Sequence, residues 1–196
     1  MTDSRIELLK AARRVLLEQG YAGLSTRAVA AEAGTQMSQI RYHFGSKEGL
    51  VLSLFEYMNA ALIDRQAATF HQPDLTISQK WDRACDYLEN DLASGYVRVL
   101  QELTAVGWSN PIIGDAVRQA IAQWQALIVE QVKDLETQLG SLGPFRPNEI
   151  AMLVGAAFIG AESFILLGFD DTQHPARAAL RRVGKLIKQT ETHREP

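Results

Sequence analysis

The sequence predicts an all-α protein of about nine helices, and three observations carry that reading. Apolar residues recur at spacings of three and four along almost all of its 196 residues. No run of β-branched residues alternates convincingly with polar ones. Gly, Pro, Ser and Asn fall where helices must end or begin. In chain order, Leu8, Leu9, Ala12, Val15 and Leu16 share one face of a first helix over about residues 4–19, which Gly20 stops. Two short helices follow, near 26–33 and 37–43. A fourth begins after Ser46, a good N-cap residue, and carries Leu50, Leu54, Tyr57, Met58, Ala61 and Leu62 on one stripe until shortly before Pro73. Thr76 and Gln79 suit a capping box for a fifth helix through about Leu92, and Gly95 separates it from a sixth around 97–106. Asn110 and Pro111 read as N-cap and first-turn proline of a helix to about Leu139. The segment Gly140-Ser141-Leu142-Gly143-Pro144 is the clearest linker, and Pro147 and Pro175 mark the starts of two final helices.

Composition narrows the function classes. A chain with 46% hydrophobic residues can build one large core, or a small module fused to a larger one. The single cysteine, Cys85, excludes an intramolecular disulfide framework and a cysteine-based zinc site, which suits a reducing interior. Met1-Thr2-Asp3-Ser4-Arg5 is polar and lacks the apolar core of a secretory signal, so a cytoplasmic location is expected. The apolar stretch from Ile150 to Phe169 is interrupted by Glu162 and by Gly155, Gly160 and Gly168, and is expected to be a buried helix, not a membrane span. Four histidines, His43, His71, His174 and His193, are scattered without HExxH, ExxH or triad-like company. No catalytic residue, metal site or cofactor is therefore expected, and an all-α enzyme is the weaker alternative.

The net charge of −3 is unevenly spread. Residues 1–50 hold seven Lys/Arg against five Asp/Glu, and the remainder thirteen against eighteen. A basic tip on an acidic body fits a nucleic-acid partner for the first segment. Within that tip, Leu24 to Phe44 places two short helices on either side of Gly34. A helix-turn-helix needs small residues where its helices cross, a turn residue able to take positive φ, and a second helix that exposes polar side chains. Ala30, Ala33 and Gly34 meet the first two demands. Ser38, Gln39, Arg41, Tyr42 and His43 meet the third, with Ile40 and Phe44 as inward anchors.

Ala11-Ala12, Gly20-Tyr21, Ser25-Thr26, Val29-Ala30, Ala33-Gly34, Tyr42-His43-Phe44 and Ser46-Lys47-Glu48, at these spacings, resemble the N-terminal domain of the tetracycline-repressor (TetR) family over roughly residues 5–55. The resemblance implies a DNA-binding domain over 1–47 and a ligand-binding and dimerisation domain over 48–196. It also implies that the third helix enters the major groove. DNA contacts are expected from Thr26, Arg27, Gln36, Ser38, Gln39, Arg41, Tyr42, His43 and Lys47. Thr26 and Lys47 lie near helix N-termini, where a hydroxyl, an ammonium and free N–H groups hold phosphates and set register. Arg27, Gln39 and Arg41 are able to make bidentate bonds to base edges. The turn residues Thr35-Gln36, together with Ser38 and Ile40-Arg41, depart from the family pattern at contact positions, which leaves open whether Arg41 reads a base or a phosphate.

Beyond residue 55 the resemblance is one of architecture. Ile150, Leu153, Val154, Ala157 and Ile165, with small Gly155, Ala156, Gly160 and Ala161, then Leu180, Val183 and Ile187, suit a homodimer formed through the last two helices. The family implies a small-molecule effector that enters the helical body, shifts the fourth helix and releases a palindromic operator. An aromatic cavity would draw on Met58, Trp81, Tyr87, Trp108, Trp124, Phe158 and Phe164, with Glu102, Gln125 or Glu162 as polar anchors. Cations inside this body are expected to be scarce, chiefly Arg98 and Arg118, which tilts the effector toward a lipophilic neutral or cationic compound. Repressor and activator are not separable at this level, since the difference depends on operator position, and a protein-binding helix-turn-helix module is a further alternative.

Overall fold

The computed structural model describes residues 3–192, so that Met1 and Thr2, used above for the signal reading, and His193 lie outside the described residues. Among the described residues there are nine helices and no strand: α1 (Asp3–Gly23), α2 (Thr26–Glu32), α3 (Met37–Phe44), α4 (Lys47–Phe70), α5 (Ile77–Ser94), α6 (Tyr96–Gly107), α7 (Pro111–Leu139), α8 (Pro147–Leu166) and α9 (Ala176–Thr192). The expected starts hold because side chains satisfy the N–H groups that a helix leaves open at its first turn. The Ser25 hydroxyl accepts from Ala28 N at 3.1 Å, and the Ser46 hydroxyl from Gly49 N at 3.0 Å. Thr76 and Gln79 bond reciprocally at 2.9 and 3.3 Å, as a capping box requires. Asn110 Oδ1 accepts from Ile112 and Ile113 N at 3.1 and 3.3 Å. Gly20, the expected stop of the first helix, kinks α1 at φ 69°, ψ 179°, and the chain resumes helical geometry for one short turn to Gly23.

The described residues form two compact units. One draws on the chain through Leu62 and on Gly95–Ala120. Its core contains Leu9, Leu16, Leu24, Ile40, Leu50 and Leu54, all essentially inaccessible. Here α1 packs on α2 and α6, and α2 on α3. Burying each of these side chains contributes about 1.5–3 kcal/mol, so the short helices α2 and α3 are held by packing and not by their own propensity. α6 belongs to this unit as well: Arg98 donates to the Leu17 carbonyl at 2.7 Å, and Tyr96 OH to Asn59 Oδ1 at 2.9 Å.

The second unit comprises Ile63–Ser94 and the chain from Ile121. In it α9 packs on α5 and α8. Gly184 permits this approach, because a Cβ there would meet the Trp81 ring at 2.8 Å. Buried Asp91 accepts two bonds from the Arg65 guanidinium, both at 2.9 Å, and Arg65 stacks 4.4 Å above the Tyr87 ring. Burial raises the Asp91 carboxyl above its ordinary value, and Arg65 opposes that rise.

The sequence expectation of a buried α8 requires correction for the single chain. This helix is long and apolar enough to cross a membrane, with mean hydropathy 1.7, but only 22% of its apolar window is buried. Ala151, Gly155, Phe158 and Ala161 face inward, whereas Met152, Leu153, Phe164 and Leu166 are exposed. The residues expected to form an interface divide likewise. Leu153, Ala156 and Ala157 are exposed, Leu180 is buried, and Ile150, Val154, Val183 and Ile187 line a partly open pocket, Val183 itself being 38% exposed.

Candidate nucleic-acid interface and helical-body cavity

The turn between α2 and α3 depends on Gly34, which takes φ +63°, a conformation that costs an L side chain about 1–2 kcal/mol. Around it Ala33 N bonds to the Val29 carbonyl at 2.9 Å and Thr35 N to the Ala30 carbonyl at 2.9 Å, closing the corner. α3 is then fixed from beneath by Ile40, fully buried, and Phe44, four residues on. The intervening positions face outward. Gln36, Ser38, Gln39, Arg41 and Tyr42 are all exposed, Tyr42 by 82%. Arg27 is exposed on the first turn of α2, beside half-buried Thr26. No side chain caps α3, since Gln36 is extended and makes no cap bond, which leaves first-turn N–H groups open.

Two of the expected contact residues are engaged inside the protein. His43 is half-buried and its Nε2 lies 2.9 Å from the Ser4 hydroxyl, tying α3 to α1. Lys47 Nζ donates to the Tyr21 carbonyl at 3.1 Å and sits 4.5 Å from the centre of the Tyr21 ring. Tyr21 is in turn held by Glu102, which accepts from Tyr21 N at 2.5 Å and from Arg98 Nε at 3.0 Å. Burial, with Glu48 nearby, raises the Tyr21 phenol above its usual range. Lys47 therefore braces the kinked end of α1 against the start of α4 and keeps two further N–H donors for an outside acceptor.

Within the second unit, α5, α7, α8 and α9 and the end of α4 at Phe70 line a partly open cavity of about 210 Å³. Trp81, Trp124 and Phe158 form one wall, with Phe158 edge-on to both indoles at 5.6 and 5.7 Å. Gly155 seats against the Trp124 ring, where an added Cβ would lie at 3.3 Å. Both indole N–H groups are already satisfied: Trp81 donates to the Leu180 carbonyl at 2.7 Å and Trp124 to Gln66 Oε1 at 2.6 Å. Aliphatic side chains supply nearly all the remaining lining, and its two polar members are Lys80 and Gln131.

Of the residues expected around a cavity, Trp81, Trp124 and Phe158 are brought together and the others lie elsewhere. Trp108 is 84% exposed at the end of α6, and Phe164 is exposed on α8. Met58 is buried in the first unit. Glu102 holds the Tyr21 backbone, and Tyr87 is occupied by Thr69 and by Arg65. Glu162 is half-buried on α8, and Gln125 Nε2 meets Met152 Sδ at 3.3 Å. The two cations expected inside the body are paired on the surface: Arg98 with Glu102, and Arg118 with Asp115. The cation that is buried, Lys80, was missed. Its signal was available, because Ile77, Lys80, Ala84, Leu88 and Asp91 follow one helical stripe, and Trp124, Ile128, Gln131 and Leu135 another. A polar residue on an apolar stripe is the mark of a buried polar group.

This head defines a class, that of helix-turn-helix proteins with a helical body. The family model of bacterial regulatory proteins, tetR family, matches residues 8–54. Over 53 residues the chain is 43% identical to the HTH-type transcriptional repressor AcnR of Corynebacterium glutamicum, a match spanning 27% of this chain and 28% of that relative. A putative TetR-family transcriptional regulator from Rhodococcus sp. superposes with a TM-score of 0.77 at 21% identity, covering 95% of this chain and 99% of that one. The regulator FadR from Bacillus subtilis, solved in complex with stearoyl-CoA, gives 0.76 at 15% identity, covering 93% and 96%. Residues 8–54 match that family's model, and the chain shares the fold of the solved regulators.

Proposed function

We propose that this protein is a homodimeric transcriptional repressor that reads a palindromic operator through α3 and is released by a small molecule bound in its helical body. The observation that carries the reading is the outward row Gln36, Ser38, Gln39, Arg41 and Tyr42 on a helix pinned by Ile40 and Phe44. Arg41 and Gln39, with Arg27 from α2, have the donors to read base edges, while Thr26, Tyr42, His43 and Lys47 set the register on phosphates. Similarity of the head to the repressor AcnR supports repression over activation. Residues 1–47 act as the reading head and 48–196 as the effector and dimer body, and the site of action is the cytoplasm, where operator DNA is found.

Dimerisation is supported by the exposed apolar residues Met152, Leu153, Phe164 and Leu186 on α8 and α9, a density that an isolated soluble chain rarely leaves uncovered. A two-fold pair would offer two α3 helices to successive major grooves, about 34–36 Å apart. Effector control is supported by α4, which is continuous from Lys47, beside α3, to Phe70 at the cavity. An effector that contacts Phe70 touches the helix whose first residues follow α3 in the chain. FadR, a fold relative solved in complex with stearoyl-CoA, supports a lipophilic effector.

Selection of bound sequences from random duplex DNA, at two salt concentrations, tests the reading. An enriched inverted repeat is the expected result. Salt-sensitive binding without enrichment would overturn sequence reading by α3.

A further inference from the structure

We infer that the cavity takes an uncharged molecule without a polar head, a small alkyl-substituted aromatic hydrocarbon, held by apolar contact alone. This deepens the effector reading above and rests on it. The polar groups at the cavity wall are bonded within the protein. The Lys80 ammonium donates to Gln131 Oε1 at 2.7 Å, and each of these residues is only 8% exposed. The indole N–H groups of Trp81 and Trp124 are spent on the Leu180 carbonyl and on Gln66 Oε1. The surface offered to a ligand is consequently almost wholly apolar, and Lys80 and Gln131 join it through the carbon chains behind their polar ends.

Such a lining selects by what it withholds. A hydroxyl or carbonyl brought into it gives up its bonds to water and meets no donor or acceptor in return, and a charged group loses more. The aromatic wall by itself would suit a quaternary ammonium, but among the described residues the lining holds no carboxylate to offset that charge. The lining contributed by α8 and α9 beside Phe158, namely Ile150, Val154, Val183 and Ile187, is aliphatic, so a polar end turned toward these helices also meets carbon. A hydrocarbon ring has nothing to lose there, and Trp81, Trp124 and Phe158 offer it ring edges and faces. The volume sets the size. About 210 Å³ exceeds the roughly 150 Å³ in which a dry apolar cavity takes benzene, and it falls below the roughly 300–1,000 Å³ of drug-sized sites, which fits one ring with short alkyl arms.

Three probes of similar shape, p-xylene, p-cresol and 4-methylbenzoate, titrated calorimetrically into the full-length protein at neutral pH, test the inference. p-Xylene is expected to bind at least about tenfold more tightly than p-cresol, the margin of one hydroxyl left without a partner, and 4-methylbenzoate most weakly. Ala84→Leu, which fills the cavity from α5, is expected to weaken p-xylene at least about tenfold while the melting temperature holds or rises. Absence of p-xylene binding, p-cresol or 4-methylbenzoate binding as tightly as p-xylene, or a p-xylene affinity unchanged in Ala84→Leu would each overturn it. The comparison of probes on the wild-type protein decides even if the variant fails to fold. Repeating the titration on the protein bound to its selected DNA separates the two claims. p-Xylene that binds with the expected preference but leaves operator in place overturns release by effector and upholds the apolar site, whereas operator released by p-cresol or 4-methylbenzoate as readily as by p-xylene does the reverse.

Discussion

Arg41 stands exposed on α3 between two buried anchors, and its guanidinium has the planar fork that guanine O6 and N7 accept. Arg41→Ala is expected to relax preference at one base pair by about 1–3 kcal/mol, seen when binding is measured across single-base operator variants. Equal weakening on every variant would make Arg41 a phosphate contact instead. Lys47 differs, since part of its bonding capacity is used on Tyr21. Lys47→Ala is expected to weaken all sequences alike, to reduce the salt slope of log affinity by about one, and to cost about 0.5–1.5 kcal/mol of stability from the lost carbonyl bond. A full salt slope in that variant would confine Lys47 to bracing α1. Cys85 allows a test by pH, because burial pushes its thiol up to about 11 from an ordinary 9.0. A thiol raised in the folded state adds stability below pH 9 that is lost as pH climbs toward 11. Alkylation of the native protein near pH 8 should therefore be slow, and the melting temperature should fall across that alkaline window. Rapid labelling without unfolding would mean the thiol is accessible.

At the scale of elements, α3 is an eight-residue helix that depends on its corner and its anchors. Gly34→Ala meets no atom within 4 Å, so its cost comes from positive φ alone, about 1–2 kcal/mol. Ile40→Ala, at a site with no solvent access, is expected to cost about 2–5 kcal/mol in chemical denaturation and to reduce DNA affinity. Retained affinity at full stability would show that α3 needs no anchor. The beginnings of α2, α4, α5 and α7 were legible because their caps are set within four residues of sequence, as the bonds of Ser25, Ser46, Thr76 and Asn110 display. The outward row of α3 was legible for the same reason: Ile40 and Phe44 fix which side turns in. Lys80 and Gln131 were readable as breaks in their stripes, but that they meet each other depends on how α5 packs beside α7.

For the whole molecule, the exposed side of α8 is the feature that a single chain leaves unexplained. Leu153 is 57% exposed, so Leu153→Glu should leave the protomer folded while placing charge in an apolar interface. Sedimentation is expected to show dissociation toward monomers, together with loss of operator affinity, because one head alone gives up the second half-site. A variant that remains dimeric would exclude this face of α8 from the interface. The sequence by itself determined the helical class, the order and ends of the helices, and a head whose turn and recognition helix are set by residues close in the chain, since capping, periodicity and positive φ are local. Only the tertiary structure decided which members of a stripe meet another helix and which meet water. Trp108 and Trp124 are alike in sequence terms, yet one is exposed and the other lines the cavity, and Lys80 is buried where Arg98 and Arg118 are not. Burial is fixed by contacts between residues far apart in the chain, which a stripe such as that of Lys80 points to but which the packing alone decides.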